Sequence, residues 1–442
     1  MYIELPEKVK RIINTIQSAG YEAYAVGGCI RDSILGRTPD DWDITTSAQP
    51  MQVKALFGHT IDTGIVHGTV TVMLEKEGFE VTTYRIDGKY EDGRHPKEVI
   101  FTPSLEEDLK RRDFTINAMA YNEKEGMIDL FGGREDMRAG KIRCVGDAAQ
   151  RFSEDALRIM RAVRFSAQLG YQIEQNTAEA IKLLAPSLTK ISVERIQTEL
   201  VKLVTSPNPD FLRTAYRYGV TKVILPEFDR AMETEQNNPH HCYNVGEHIL
   251  HSMKAAPPDK TLRLTMLFHD LGKAETKTTD AQRLDHFHGH AAVSRQMAQD
   301  ILERLRFDND TIRKVTRLVL YHDYGNGVDP ADSAVRRGIF KIGEDLFPLF
   351  LMVRQADLDA QSVYRKKEKQ KNLDGWKTKY HEIQARQDCV SLKTLAVNGS
   401  DLIQIGMKPG REIGETLENL LQIVLENPDL NRKETLLTFL PL

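Results

Sequence analysis

The stretch Val26-Gly27-Gly28-Cys29-Ile30-Arg31-Asp32, followed after a short polar segment by Asp41-Trp42-Asp43-Ile44, decides how the front of this chain is read. Residues 21–26 have the composition of a strand, the glycine pair opens a short helix through Leu35, and Thr38-Pro39-Asp40 forms a turn before a second strand at 42–46. In a strand, side chains two positions apart share a face, so Asp41 and Asp43 converge. Two converging carboxylates beside an open Gly-Gly backbone suit Mg²⁺ held against a nucleotide's phosphates. A lone Asp-x-Asp is usually a solvated strand edge; behind a strand, a glycine pair and a helix it points to that chemistry.

Working outward, Val9, Ile12, Ile13 and Ile16 share one face of a helix that Gly20 stops, and β-branched residues mark strands at 69–74 and 79–85. The segment 85–111, with Asp87-Gly88-Lys89-Tyr90-Glu91-Asp92-Gly93 at its start, has no clear core face and reads as a mobile loop. This first block is a small mixed sheet with helices, residues 1–140. From 141 to 230 the pattern is helical: Ser153 would cap a helix at 154–169 that Gly170 ends, with further helices at 175–184, 193–204 and 210–218. A linker near 235–239 leads to a helical, histidine-dense region (235–365) and a tail (366–442). The fold class expected is therefore α+β in front and all-helical behind.

The 442 residues allow two to four domains, and a formal net charge of -4 excludes a globally basic nucleic-acid binder. Cys29, Cys144, Cys242 and Cys389 form no Cys-x-x-Cys pair, which argues against a zinc ribbon or a disulfide framework. No apolar run approaches a membrane span, and Met-Tyr-Ile-Glu-Leu-Pro-Glu-Lys does not read as a signal peptide, so a cytoplasmic protein is expected.

Several motifs in order, Gly27-Gly28-Cys29-Ile30-Arg31-Asp32, Asp41-Trp42-Asp43, Arg111-Arg112-Asp113-Phe114-Thr115-Ile116-Asn117, Asp129-Leu130-Phe131-Gly132-Gly133 and Glu154-Asp155-Ala156-Leu157-Arg158, resemble the bacterial CCA-adding enzymes. These are class II tRNA nucleotidyltransferases, related to poly(A) polymerases. The resemblance runs over essentially the whole chain. It implies a polymerase-β-like head, a helical neck and body, and a reaction that transfers CMP and AMP from CTP and ATP to the tRNA 3′ end. Asp41 and Asp43 would hold Mg²⁺, with Glu80 as a third carboxylate or merely an exposed strand residue. Gly27 and Gly28 leave room for phosphates, while Arg31 either adds charge there or pairs with Asp32. By resemblance Arg112, Asp113 and Asn117 bind ribose and triphosphate.

The same resemblance assigns base selection to Asp155 and Arg158, three apart and so neighbours on a helix face. Cytosine and adenine both present an amino donor beside a ring-nitrogen acceptor, so an accepting Asp and a donating Arg select C or A. A plain ion pair between the two is the alternative. Arg161 and Arg164 extend this flank toward phosphate or brace the helix. In the family, a loop such as 85–111 accompanies the switch from C to A addition, which favours the complete triplet over a CC-only, A-only or poly(A) enzyme.

Nine of 13 histidines fall between His240 and His322, and Phe268-His269-Asp270-Leu271-Gly272-Lys273 resembles the core of the HD phosphohydrolases. The resemblance implies a divalent metal of unknown identity held by His248, His269, Asp270 and Asp357, with His290 and His322 serving a second metal or phosphate. His240, His241, His251, His286 and His288 match less well. This reading adds a phosphatase or 2′,3′-cyclic phosphodiesterase activity; a hydrolase whose head only binds nucleotide or RNA is the rival from another class. For tRNA contact the candidates are Lys366, Lys367, Lys369 and Lys371, with Trp376 and Tyr380 interleaved, or else this is a solvated basic helix. A monomer and a homodimer both remain open.

Overall fold

The computed structural model describes residues 2–87, 99–328 and 330–440. Contacts divide the chain into two compact units, Met1–Ile224 and Leu225–Leu442. The expected segments 1–140 and most of 141–230 fall in the first unit; 235–365 and 366–442 fall in the second.

The first unit is built on nine named strands that position the site: β1 Ala23–Val26, β2 Ile44–Thr46, β3 Thr60–Gly64, β4 Thr69–Leu74, β5 Glu77–Thr83, β6 Arg85–Asp87, β7 Val99–Phe101, β8 Met119–Asn122 and β9 Gly126–Asp129. Seven form one sheet in the order β3-β4-β5-β2-β1-β8-β9. Only the β2–β5 pair in it is parallel, Ile44 facing Val81, so the sheet is mixed, as the sequence suggests. β2, β1 and β8 are wholly buried, and helix Glu7–Ser18 packs on β1 with Val9, Ile12, Ile13 and Ile16 buried.

Two expectations need correction. Within 85–111, β6 pairs with β7, and helix Leu105–Lys110 follows behind a Ser104 cap whose Oγ accepts from Glu107 N at 3.4 Å. Three-residue strands carry too little alternation to be seen in sequence. Residues 88–98, where the expected loop is most polar, lie outside the described residues. The single helix expected at 154–169 is two helices, Ala148–Glu154 and Leu157–Leu169, and Asp155 between them is extended (φ -142°, ψ 103°). Its carboxylate accepts from Leu157 N at 3.0 Å, so Asp155 rather than Ser153 satisfies a free amide at the second helix's start. Gly170 ends that helix in the left-handed conformation, as expected.

The second unit is helical. Its main core joins Leu318, Ile339, Phe347 and Phe350 to Trp376, Leu421 and Val424. Trp376, interleaved in sequence with the candidate RNA lysines, is fully buried there, edge-on to Tyr324 at 6.0 Å, and so is not part of an exposed surface. No helix among the described residues is long and apolar enough to cross a membrane.

Candidate active sites

Asp41 and Asp43 sit in the extended lead-in to β2 rather than inside it, and Asp43 O accepts from Val26 N at 3.0 Å. One step before the Ile44–Val81 pair, the β2–β5 register sets Asp43 beside Glu80. Burial, Asp41 and Glu80 together hold the Asp43 carboxyl above the usual range against the pull of Arg112. Gly27, at φ +87°, lies between these groups: a Cβ there would be 3.1 Å from Arg112 Nη1 and 3.9 Å from Asp43 Oδ2. Glycine pair, arginine and carboxylates thus meet at one place. The donors are all oxygens and mutually repulsive, a set suited to Mg²⁺.

The remaining head residues form a network around Asp113. Its Oδ1 accepts from Phe114 N (2.8 Å) and Asn117 Nδ2 (3.1 Å), and its Oδ2 from Arg161 Nε (2.7 Å). Arg31 forks onto Asp32 (3.0 and 2.8 Å) and donates to Asn117 Oδ1 at 2.7 Å, so its pairing with Asp32 is real. Arg112 approaches the buried Asp108 at 3.6 Å, and its own Nε is buried with no hydrogen-bond partner. Gly133 is required for packing, since a Cβ would stand 2.3 Å from Thr115 O.

Burial alone would raise Asp113, but Arg161 and the hydrogen bond from Asn117 hold it down to about 2. A carboxylate depressed on folding stabilises the fold above its unfolded value near 4 and loses that contribution as pH falls toward 2. Asp113→Asn is therefore expected to cost about 2 kcal/mol at pH 7. The gap from wild type should narrow between pH 4 and 2 in urea unfolding; a pH-independent gap would refute the charge account.

Asp155 and Arg158 do not pair. Asp155 Oδ2 accepts from Arg195 Nη2 at 2.7 Å, while Arg158 donates to Glu154 Oε2 (2.8 Å) and to the carbonyls of Arg151 (3.1 Å) and Arg111 (3.0 Å). The helix break at Asp155 removes the shared face assumed from their spacing. Arg164 is braced on Glu199 at 2.7 Å, with its guanidinium 3.8 Å from the Phe165 ring centroid. Arg195 and Glu199, 40 and 35 residues downstream of their partners, carried no local signal in sequence.

In the second unit the histidine motif assembles from five helices or helix ends. His248 lies in Val245–Ala255, and Asp357 in Phe347–Asp359. His269 and Asp270 follow Lys260–Phe268, His290 opens His290–Arg304, and His322 follows Asn309–Tyr321. Gly272 permits the close approach, because a Cβ would meet His290 O and Ser294 N at 2.6 Å. His248 Nε2 lies 2.9 Å from Asp357 Oδ1 and 3.4 Å from His269 Nε2. Two ligand-type groups result, His248-His269-Asp270 and Asp270-His290-His322, and they share Asp270. Its Oδ2 faces His248 (3.4 Å) and His269 (3.3 Å); its Oδ1 faces His290 (3.4 Å) and His322 (3.6 Å).

Hydrogen bonding fixes the tautomers. Nδ1 of His269, His290 and His322 meets the carbonyls of Met266 (2.8 Å), Phe287 (2.9 Å) and Val319 (2.7 Å). A carbonyl only accepts, so each Nδ1 carries the proton and each Nε2 presents a lone pair. The Nε2 atoms of His290 and His322 then face each other at 3.2 Å beside a carboxylate oxygen, an arrangement a cation satisfies. Both Asp270 oxygens are buried without a hydrogen-bond partner, although Lys273 Nζ, unassigned from sequence, stands 2.7 Å from Oδ2. His241, set aside in the sequence, is half-buried and edge-on to His248 with centroids 5.0 Å apart.

The four candidate RNA lysines differ in exposure and pairing. Lys367 and Lys371 are exposed on helix Lys366–Arg386, while Lys366 Nζ donates to Asp359 O (3.2 Å) and Lys369 Nζ to Gln361 Oε1 (2.6 Å).

Residues 23–143 match the family model described as "Poly A polymerase head domain", residues 170–232 the "Probable RNA and SrmB- binding site of polymerase A", and residues 276–440 the tRNA nucleotidyltransferase domain 2. A CCA-adding enzyme of Leuconostoc mesenteroides is 54% identical over 204 residues, which span 46% of this chain and 51%, about half, of that protein. The CCA-adding enzyme of Limosilactobacillus reuteri is 36% identical over 98% of this chain and 95% of its own length. Among solved structures, the Bacillus stearothermophilus CCA-adding enzyme in complex with CTP has a TM-score of 0.72 at 31% identity, covering 98% of this chain and 96% of that one. Sheet, carboxylates and these likenesses define the nucleotidyltransferase fold class, a polymerase-β-like head with a mostly helical remainder. The chain belongs to the CCA-adding enzyme family.

Proposed function

We propose that this protein adds C, C and A to the 3′ end of tRNA, using CTP and ATP and releasing pyrophosphate. The observation that carries the reading is the meeting of Asp41, Asp43 and Glu80 with Gly27 and Arg112. Asp41 and Asp43, with Glu80 beside them, would hold Mg²⁺, which supplies charge neutralisation for the triphosphate and lowers the pKa of the attacking 3′-hydroxyl. Around it, Gly27 and Gly28 leave backbone open to the phosphates, and Arg112, half-buried with a buried, unspent Nε, adds positive charge. The tRNA 3′ oxygen bonds to the α-phosphorus as the bond to pyrophosphate breaks. Asp113, Asn117 and Arg31 hold one another and so set the ribose side of the pocket. Lys367 and Lys371 remain the exposed candidates for tRNA phosphates.

Base choice is assigned to Asp155, accepting from the amino group shared by C and A, with Arg195 fixing its carboxylate and Arg158 fixed by Glu154 beside it. The test uses tRNA transcripts lacking CCA, CC or A with labelled CTP or ATP. Growth by the missing residues followed by a stop is expected. Long A tails would replace this reading with polyadenylation. Asp155→Ala is expected to reduce discrimination against G and U by about tenfold or more while tRNA affinity is kept; unchanged C and A selection would refute the assignment.

A second activity is supported by the Asp270 cluster, whose lone-pair geometry suits two divalent cations held by His248, His269, Asp270 and Asp357 on one side and by Asp270, His290 and His322 on the other. Bound there, such ions would activate water toward a phosphate ester. The residues' own contribution is to bury and orient the ligands through the carbonyls of Met266, Phe287 and Val319.

A further inference from the structure

Beside the Asp270 cluster lies a cavity of about 500 Å³ whose wall includes His240, His241, Arg354, Asp357, Gln361 and Lys369. Small-molecule sites occupy this size range. His241, Asp357 and Gln361 also line the cleft over Asp270, His290 and His322, so the cavity and the cluster adjoin.

Arg354 is the unexplained part of this wall. Its side chain is 5% exposed, yet among the described residues no carboxylate lies within ion-pair distance. Nη2 donates to two neutral amides, Asn326 Oδ1 at 2.8 Å and Asn372 Oδ1 at 3.1 Å, and Nη1 is buried with no hydrogen-bond partner. Burial lowers its pKa only to about 10, so the guanidinium stays charged at neutral pH. Asp357 and Asp323 act on it from beyond contact distance, and the Phe350 and Trp376 rings lie 5.8 and 5.6 Å away, but none of them meets Nη1, and a buried charged donor left unmade is costly. Nδ1 of His240 and of His241 are likewise buried without partners in the same wall. Of the other cations in the wall, Arg365 Nε pairs with Glu368 at 2.7 Å and Lys369 Nζ donates to Gln361 Oε1, and neither has a buried donor without a partner as Arg354 does. One guanidinium with an unspent Nη1 and two imidazole nitrogens without partners make a site for a ligand rich in anionic oxygen.

We propose that this cavity holds the second phosphate group of a nucleotide whose first phosphate ester sits at the Asp270 cluster, with Arg354 as the residue that binds it. Arg354 and Asp357, three apart on Phe347–Asp359, are neighbours on one helix face, so a ligand of one nucleotide's length reaches both. Leu358 and Leu373 in the same wall offer apolar surface to the nucleoside. The ligand class is a nucleotide phosphorylated on both its 3′ and 5′ oxygens, free or as the terminal residue of an RNA. This rests on reading the cluster as a phosphate-ester site.

Calorimetry of the full chain, in EDTA and again with Mn²⁺, would compare adenosine 3′,5′-bisphosphate with adenosine 3′-monophosphate. Wild type is expected to bind the bisphosphate about tenfold more tightly in both conditions. Arg354→Gln is expected to erase that preference while its affinity for the monophosphate stays within twofold of wild type. Equal binding of the two by wild type, or an undiminished preference in Arg354→Gln, overturns the proposal, and the wild-type comparison decides alone if the variant does not fold. A short RNA ending in 3′-phosphate that binds more tightly than the free bisphosphate identifies RNA as the source; the reverse order identifies the free nucleotide. Absence of Mn²⁺-dependent hydrolysis with the preference intact would reject the hydrolase reading and leave the Arg354 site standing. Hydrolysis without the preference would do the opposite.

Discussion

Asp43→Asn is expected to lower nucleotide incorporation by about 10³-fold or more, with tRNA affinity close to wild type. Asp43 is the most buried of the three head carboxylates and shares its field with Asp41, Glu80 and Arg112. Replacing it by a neutral amide removes an anionic ligand where triphosphate charge has to be neutralised. A loss of about 4 kcal/mol of transition-state stabilisation corresponds to that factor. Asp41→Asn should behave alike, and Glu80→Gln less severely because Glu80 is exposed. Single-turnover incorporation on a transcript lacking only the final A, with tRNA binding measured alongside, separates chemistry from affinity. If Asp43→Asn retained a tenth of wild-type activity, the metal-ligand assignment would be wrong.

Asp270→Ala should abolish metal-dependent phosphate release, by about 10³-fold or to background, while incorporation at the head stays within about twofold. The reason is its position: among the described residues, Asp270 is the one carboxylate whose two oxygens each face a pair of histidine Nε2 atoms. Its removal takes a ligand from both groups at once, whereas His322→Ala touches only the second group and should leave binding at the first. Mn²⁺ titration by calorimetry provides a readout apart from activity, with Asp270→Ala losing both binding events. Retained Mn²⁺ binding with wild-type stoichiometry would rule out the shared-ligand arrangement. Equal loss of incorporation and hydrolysis would instead point to unfolding, which circular dichroism detects.

Local patterns were legible wherever a short run of sequence contains its own cause. Helices Gln175–Leu184 and Val193–Val204 and strand β4 Thr69–Leu74 fall where periodicity places them, since each buries one face at helical or strand spacing. The errors lie where the cause is distant. Spacing alone made Asp155 and Arg158 helix neighbours, but the chain breaks at Asp155, and Arg195, 40 residues on, takes its carboxylate. Trp376 reads as exposed among lysines until the core around Tyr324 and Phe347 closes over it.

What the sequence by itself determined was the chemistry on offer: an oxygen-only carboxylate set behind a glycine pair in one half of the chain, and imidazoles with carboxylates in the other. Residue type and close spacing dictate which atoms can accept, donate or ligate, and these do not depend on distant contacts. Only the tertiary structure decided which groups are spent and which are free. Arg31 is occupied by Asp32 and Asn117, Arg158 by Glu154, and Arg354 retains a buried, unpaired Nη1. Partners such as Asp357 for His248, 109 residues away, meet only once five helices pack, because burial and hydrogen bonding are properties of the packed chain and not of its segments.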